Sequence, residues 1–365
     1  METQIKAAIA TQNYKQAGRL LKQWQQSDAH NPLLRFYAAQ LQEQTNRLEA
    51  AEKNYKKLLQ QNTHRKIINE ARAGIARIHA RQEADKAAAL AKARSVEDAD
   101  EKSVLVIASV SNTVVSGTVK SKTLKPEVIA SFAKIFNLDA YTARMKLPSV
   151  SCRIHRVGPW GELHYFQQQL SQANIPAFCT KVIDIKAIEV FQVSHFESFS
   201  PEAIVVCKNS AGQPGKISFD WAEVTQQVRG QLPIFEQVVD LGPRGRTVHK
   251  EKVQDYAQVA DLHLPGRKVV LRSCDRLYQY QKGAALSSTK ELNSRILWNQ
   301  LLTNINQLTT SPQQNEFSRF GKSALEFINL LPAISPNLEI DRRSPSDWDT
   351  IFHLYSSLCY LQQSS

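Results

Sequence analysis

Residues 13–24, NYKQAGRLLKQW, and residues 47–58, RLEAAEKNYKKL, match each other at an offset of 34 positions. Four apolar or small positions correspond between the two stretches: Tyr14 with Leu48, Ala17 with Ala51, Leu21 with Tyr55, and Trp24 with Leu58. A constant period of about 20 to 50 residues is the sequence signature of stacked structural repeats. The two stretches therefore predict a pair of equivalent helices.

The sequence around these stretches also predicts helices. Residues 2–97 are dominated by Ala, Gln, Lys, Arg, Leu and Glu, which are good helix formers. Apolar residues recur at helical spacing over 34–41 and 68–78, with Ala73-Gly74 as a close-contact pair, and a further helix is expected near 86–92. We expect at least four antiparallel helices over 2–95, with Ala17 and Ala51 at equivalent tight contacts.

This period, with a small alanine followed by an aromatic residue four positions later, resembles the second helix of a tetratricopeptide repeat. The resemblance covers residues 1–98, as roughly two and a half repeats. Two features depart from the family pattern. Thr63 stands where the family often has a proline, and the segment near 86–92 lacks an aromatic residue. An ordinary bundle of helical hairpins with alanine-rich seams is the alternative.

The resemblance implies an α-solenoid, because each helix pair buries its apolar face only by stacking on the next pair. The groove of such a solenoid holds peptides or helices of partner proteins. Polar residues of the first helices are then the candidate partner-binding residues: Arg35, Gln42, Arg72 and His79. Simple solvation is the alternative for each of them.

Positive charge is concentrated in the first half of the chain. There are 46 Lys and Arg residues against 34 Asp and Glu, a net charge of +12. Such an excess attracts an acidic protein, nucleic acid or anionic lipid. The densest cationic stretch is 242–252, which we expect to be an exposed loop. Its candidate anion-binding residues are Arg244, Arg246, His249 and Lys250.

Residues 104–185 predict a small α/β sandwich with the order β-α-α-β-α-β, in which Asp139 is a candidate helix N-cap. The order, with a short Leu-Asp-x-x-x-Ala helix before the middle strand, is similar to the C-terminal domain of the ribosomal stalk protein. Residues 156–160 (RVGPW) and 165–170 (YFQQQL) also look like a sporulation-related repeat, a family that binds cell-wall glycan. Both resemblances imply a small α/β domain.

Residues 186–365 predict a β-rich subdomain followed by helices. Short alternating segments indicate antiparallel strands, including one at 277–281, and a short helix is expected over 221–228. Helices follow over 293–308, part of 315–331, and 347–361. The predicted fold is thus multidomain α+β: a solenoid over 1–98, an α/β sandwich over 104–185, and the β-rich subdomain with its C-terminal helices over 186–365.

No motif for chemistry is found in the sequence. Phosphate-binding loops, the hydrolase nucleophile elbow and the HExxH metal motif are absent, and the five cysteines form no CxxC pair. We therefore expect no catalytic residues, no metal and no cofactor, and favour a non-enzymatic adaptor that recruits a protein partner. The less favoured alternative is a basic nucleic-acid- or ribosome-associated protein, and an enzyme is a third class. With no apolar run near 18 residues and no secretory signal, a cytoplasmic protein is expected.

Overall fold

The computed structural model describes residues 1–29, 31–61, 64–109, 124–241, 247–286, 293–342 and 345–364. Over these ranges the chain divides into two units, Met1–Lys92 and Ala93–Ser365. The first unit is built from helices, and the second combines two sheets with helices. The predicted multidomain α+β layout is therefore confirmed.

The first unit contains the helices α1 (Glu2–Ala10), α2 (Tyr14–Ser27), α3 (Pro32–Gln44), α4 (Leu48–Gln60) and α5 (Arg65–Arg94). The expectation of a separate helix near 86–92 is wrong, because α5 runs without interruption through that segment. No glycine or proline lies between Ile78 and Arg94, so nothing in the sequence ends the helix there.

The turns before α2 and α4 have the same local geometry at the 34-residue offset. The hydroxyls of Thr11 and Thr45 each donate to the carbonyl oxygen four residues earlier, at 2.9 and 2.8 Å. The next residues, Gln12 and Asn46, have left-handed φ values of 58° and 60°. The helix that follows each turn therefore starts from an equivalent backbone conformation.

Small residues allow close contact between these helices. Ala17 and Ala51 are both fully buried. A Cβ atom on Gly74 of α5 would lie 2.5 Å from the Tyr55 ring, which no real contact tolerates. The predicted tight positions at Ala17 and Ala51, and the close contact at Gly74, are confirmed.

Two adjacent alanines of α4 provide a matched test of this packing. Ala51→Leu should lower the free energy of unfolding by about 1–3 kcal/mol, because extra methylene groups have no space in a close-packed core. Ala50→Leu should change it little, since Ala50 is exposed. Urea denaturation of both variants measures the difference. Equal stability of the two variants would contradict the tight contact.

The smaller sheet of the second unit is antiparallel, with the strand order β2-β1-β3. Its strands are β1 (Lys102–Ala108), β2 (Cys152–Pro159) and β3 (Ala177–Lys181), and its helices are α6 (Pro126–Phe136), α7 (Ala140–Lys146) and α8 (Trp160–Gln172). The predicted order β-α-α-β-α-β is confirmed. The Asp139 carboxylate caps α7 as expected, accepting hydrogen bonds from the backbone N–H groups of Tyr141 and Thr142 at 2.9 Å.

The larger sheet has seven strands in the order β10-β7-β8-β9-β4-β5-β6, all antiparallel except the pairs β4–β9 and β10–β7. The strands are β4 (Glu189–Ser198), β5 (Ala203–Lys208), β6 (Pro214–Phe219), β7 (Gln226–Leu241), β8 (Thr247–Leu264), β9 (Val269–Cys274) and β10 (Gln313–Gln314). The remaining helices are α9 (Val182–Lys186), α10 (Ser294–Leu308), α11 (Phe317–Ala324) and α12 (Asp347–Ser364), with 3-10 segments at Trp221–Glu223, Pro265–Arg267 and Leu325–Leu330.

Two apolar clusters hold the layers of the second unit together. On one face of the larger sheet, Phe196 and Leu271 pack with Trp298 and Leu301 of α10. On the other face, a second cluster joins β7 and β8 to α11 and α12, and it also contains Val104 and Ile154 of the smaller sheet. The segments 104–185 and 186–365 therefore share one core within the second unit.

Three local predictions in the second unit are wrong. Within the expected helix 221–228, only Trp221–Glu223 form a 3-10 turn, capped by Asp220, and β7 begins at Gln226 and pairs with β8. Residues 277–281 form turns, because the backbone N–H of Gln279 donates to the carbonyl of Ser194 instead of joining a sheet ladder. Residues 247–252 belong to β8, where strand pairing with β7 replaces the expected loop. Over the described ranges, no helix has the length and apolar character needed to cross a bilayer.

Candidate partner-binding groove

A groove of about 610 Å³ lies in the first unit, lined by residues of α2, α3 and α4 and of the turns between them. Its apolar part is formed by Leu21 and Leu34, which are buried, together with the half-buried Ala38 and Leu41. These side chains follow the helical spacing of α2 and α3. The groove therefore has an apolar base suited to the side chains of a ligand.

The charged side chains that line the groove are all cationic. They are Lys15, Lys22, Arg35, Arg47 and Lys57. Within the described part of the chain, the lining contains no carboxylate, and none of the five cations forms an ion pair. Because these charges are not neutralised locally, they favour an acidic ligand.

The nearby carboxylates of α3 and α4 are engaged by other partners. Arg77 donates to both oxygens of Glu43, at 2.8 and 3.0 Å, and the Tyr55 hydroxyl also donates to Glu43. Burial is the larger cause, and the neighbouring Glu43 carboxylate the smaller, of a raised pKa of Tyr55, so the Tyr55 hydroxyl stays protonated. These contacts hold the Glu43 carboxylate against Arg77 and Tyr55.

Two of the four predicted partner-binding residues line the groove. Arg35 and Gln42 contribute to it, and the Gln42 side-chain oxygen accepts a hydrogen bond from Asn54 at 2.8 Å. Arg72 and His79 do not line it. Both are exposed on α5, and His79 Nε2 lies 3.1 Å from the carboxylate of Glu52.

Four of the five groove cations were not predicted from the sequence: Lys15, Lys22, Arg47 and Lys57. A signal for two of them was present, because Lys15 and Lys22 are seven residues apart in α2, as Arg35 and Gln42 are in α3. Residues seven apart share a helix face. The pairing of those two faces across α2 and α3 depends on tertiary packing.

The predicted anion-binding residues fall in two groups. Arg244 and Arg246 lie outside the described residues. His249 and Lys250 belong to β8, and exposed Lys250 is paired with Val238 of β7 in the ladder. The latter two residues therefore lie on a strand and not on the expected loop.

A buried polar network in the second unit brings together residue types used in hydrolases. Ser356 donates to Asp261 at 2.5 Å, and His263 Nε2 lies 2.9 Å from the Ser356 hydroxyl oxygen. The hydroxyl hydrogen of Ser356 is already used in the hydrogen bond to Asp261, so His263 Nε2 must donate to the hydroxyl oxygen. In that arrangement His263 cannot act as the base that would activate Ser356 as a nucleophile. All three side chains are almost completely buried, so the Ser356 hydroxyl is closed off from a substrate. Among the described residues, no three His, Cys, Asp or Glu side chains are grouped as a metal site.

The chain was compared with family models, with curated proteins and with solved structures, and none of the three comparisons gives a match.

Proposed function

We propose that the protein is a cytoplasmic, non-enzymatic adaptor whose first unit, a tetratricopeptide-like solenoid, binds an acidic segment of a partner protein. The repeated turns at Thr11 and Thr45 support the repeat, as do the equivalent buried alanines Ala17 and Ala51. The five unpaired cysteines are consistent with a reducing compartment.

The observation that carries the proposal is the combination of charge and apolar surface in the groove. Five cations surround a base formed by Leu21, Leu34 and Leu41. An amphipathic segment with acidic and apolar side chains satisfies both features, because its carboxylates reach the cations while its apolar side chains cover the leucines. A phosphate backbone would satisfy only the cations, which makes nucleic acid the less favoured partner.

The test uses a fluorescent amphipathic peptide with Glu and Leu at helical spacing, and a control peptide in which every Glu is replaced by Lys. Fluorescence anisotropy with the full chain should show saturable binding of the acidic peptide alone. Arg35→Glu should weaken binding by about tenfold or more, since a reversed charge replaces an attraction with a repulsion. Arg72→Glu is the matched control, because it makes the same change on α5, away from the groove lining.

Equal weakening by the two variants would show that binding follows overall charge and does not use the groove. Titration of a labelled single-stranded RNA in parallel tests the alternative, a nucleic-acid-binding role. Tighter binding of the RNA than of the acidic peptide, with a loss in Arg35→Glu, would replace the protein-binding proposal with a nucleic-acid role.

A further inference from the structure

A second cavity, of about 400 Å³, lies in the second unit between β7, β8, α10 and the residues around Asn315. Arg229 and Gln231 alternate along β7 and therefore share one face of the sheet, and Gln258 of β8 pairs with Gln231. On this face, Trp298 and Leu302 of α10 complete the lining. Arg229 is the cavity's one charged lining residue in the described part of the chain.

Arg229 is half-buried and has no anionic partner among the described residues. One of its terminal nitrogens donates to the amide oxygens of Gln227 and Asn306, at 2.8 and 2.5 Å, and both of these acceptors are neutral. Its Nε–H is buried and has no acceptor within the described ranges. Burial lowers the pKa of Arg229, and among the described residues no carboxylate forms an ion pair with it to oppose that effect. A buried charge of this kind is costly unless an anion pairs with it.

Trp298, which also lines this cavity, carries a second unused donor. Its side chain is 1% exposed, and no described residue accepts a hydrogen bond from the indole N–H. An indole nitrogen can only donate, so a hydrogen bond here requires an acceptor from outside the described side chains. Two residues that line one cavity thus each carry a donor without an acceptor, and one of them is charged. Both donors require a hydrogen-bond acceptor, and the charged one favours an anion.

We propose that this cavity binds a small organic carboxylate. The Arg229 Nε–H and the Trp298 indole N–H each donate one hydrogen bond to the carboxylate, and the guanidinium supplies the opposite charge. The Trp298 ring and Leu302 contact a short apolar body, which inorganic phosphate lacks. A volume of about 400 Å³ is in the range of small-molecule sites, which run from about 300 to 1,000 Å³. This site is independent of the groove in the first unit.

The experiment follows the indole N–H signal of Trp298 by NMR in the full chain, with Trp298→Phe used to assign it. Butyrate should move this signal in a saturable way. Butyramide, which has the same shape without the charge, should not move it at comparable concentrations, and phosphate should bind at least tenfold more weakly than butyrate.

Arg229→Gln should abolish the response to butyrate. Arg319→Gln should retain it, because Arg319 is exposed, pairs with Glu316 and does not line the cavity. If Arg229→Gln fails to fold, the comparison of butyrate with butyramide on the unmodified chain still decides. An equal response to the two compounds, no response to butyrate, tighter binding of phosphate, or an unchanged response in a folded Arg229→Gln variant would each overturn the proposal.

Discussion

Ending the chain at Pro345, which removes α12, is expected to leave the second unit unfolded. Ile351, Phe352 and Leu354 of this helix are fully buried, and they belong to the cluster that joins the two sheets. Loss of a single buried Phe typically costs about 3–5 kcal/mol. Because a whole domain has a stability of about 5–15 kcal/mol, the loss of several such side chains exceeds what the unit can tolerate.

Near-UV circular dichroism and thermal denaturation measure this effect. A chain ending at Leu361 is the matched control, since the nearest residues it loses, Gln362 and Gln363, are exposed. The control should keep the native spectrum and lose only a surface hydrogen bond between Gln363 and Thr225. A chain ending at Pro345 that retained full stability would show that α12 is not part of the core.

The sequence predicted α12 well but underestimated how far it is buried. Ile351, Phe352 and Tyr355 recur at helical spacing in the sequence, which predicts that this helix docks on the body of the protein through an apolar stripe. The structure confirms the docking. The opposite face carries the polar residues His353 and Ser356, and both are buried as well. Ser356 can be buried because its hydroxyl donates a hydrogen bond to Asp261, 95 residues away. No local sequence pattern indicates such a pairing.

The two candidate sites differ in how much of each could be predicted. In the groove, Arg35 and Gln42 were identified because the repeat indicated which helix face they share. The cavity lined by Arg229 was not identified, because Arg229 directly follows residues 221–228, which were wrongly expected to form a helix. Its neighbours Gln258 and Trp298 are brought to it only by the pairing of β7 with β8 and the packing of α10.

The second large effect is expected at the buried ion pair between β8 and β9. Arg272→Met should lower the free energy of unfolding by about 3–5 kcal/mol, because it leaves the Asp261 carboxylate buried without its counter-charge. Both side chains are fully buried, and Arg272 donates to the two carboxylate oxygens at 2.9 and 2.6 Å. It also donates to the carbonyl of Pro336 and lies over the Phe352 ring, so it connects the sheet to α12 and the preceding loop.

Chemical denaturation of three further variants, Arg276→Met, Asp261→Leu and a double variant, separates the charge effect from the loss of packing. Arg276→Met breaks the ion pair with Asp255, which is partly exposed, and should cost no more than about 1 kcal/mol. The double variant Arg272→Met with Asp261→Leu should be more stable than the two single changes predict by addition, since removing both charges leaves neither one buried alone. Strict additivity would mean that the cost of Arg272→Met comes from lost packing, and a cost equal to that of Arg276→Met would mean that the buried pair contributes little to stability.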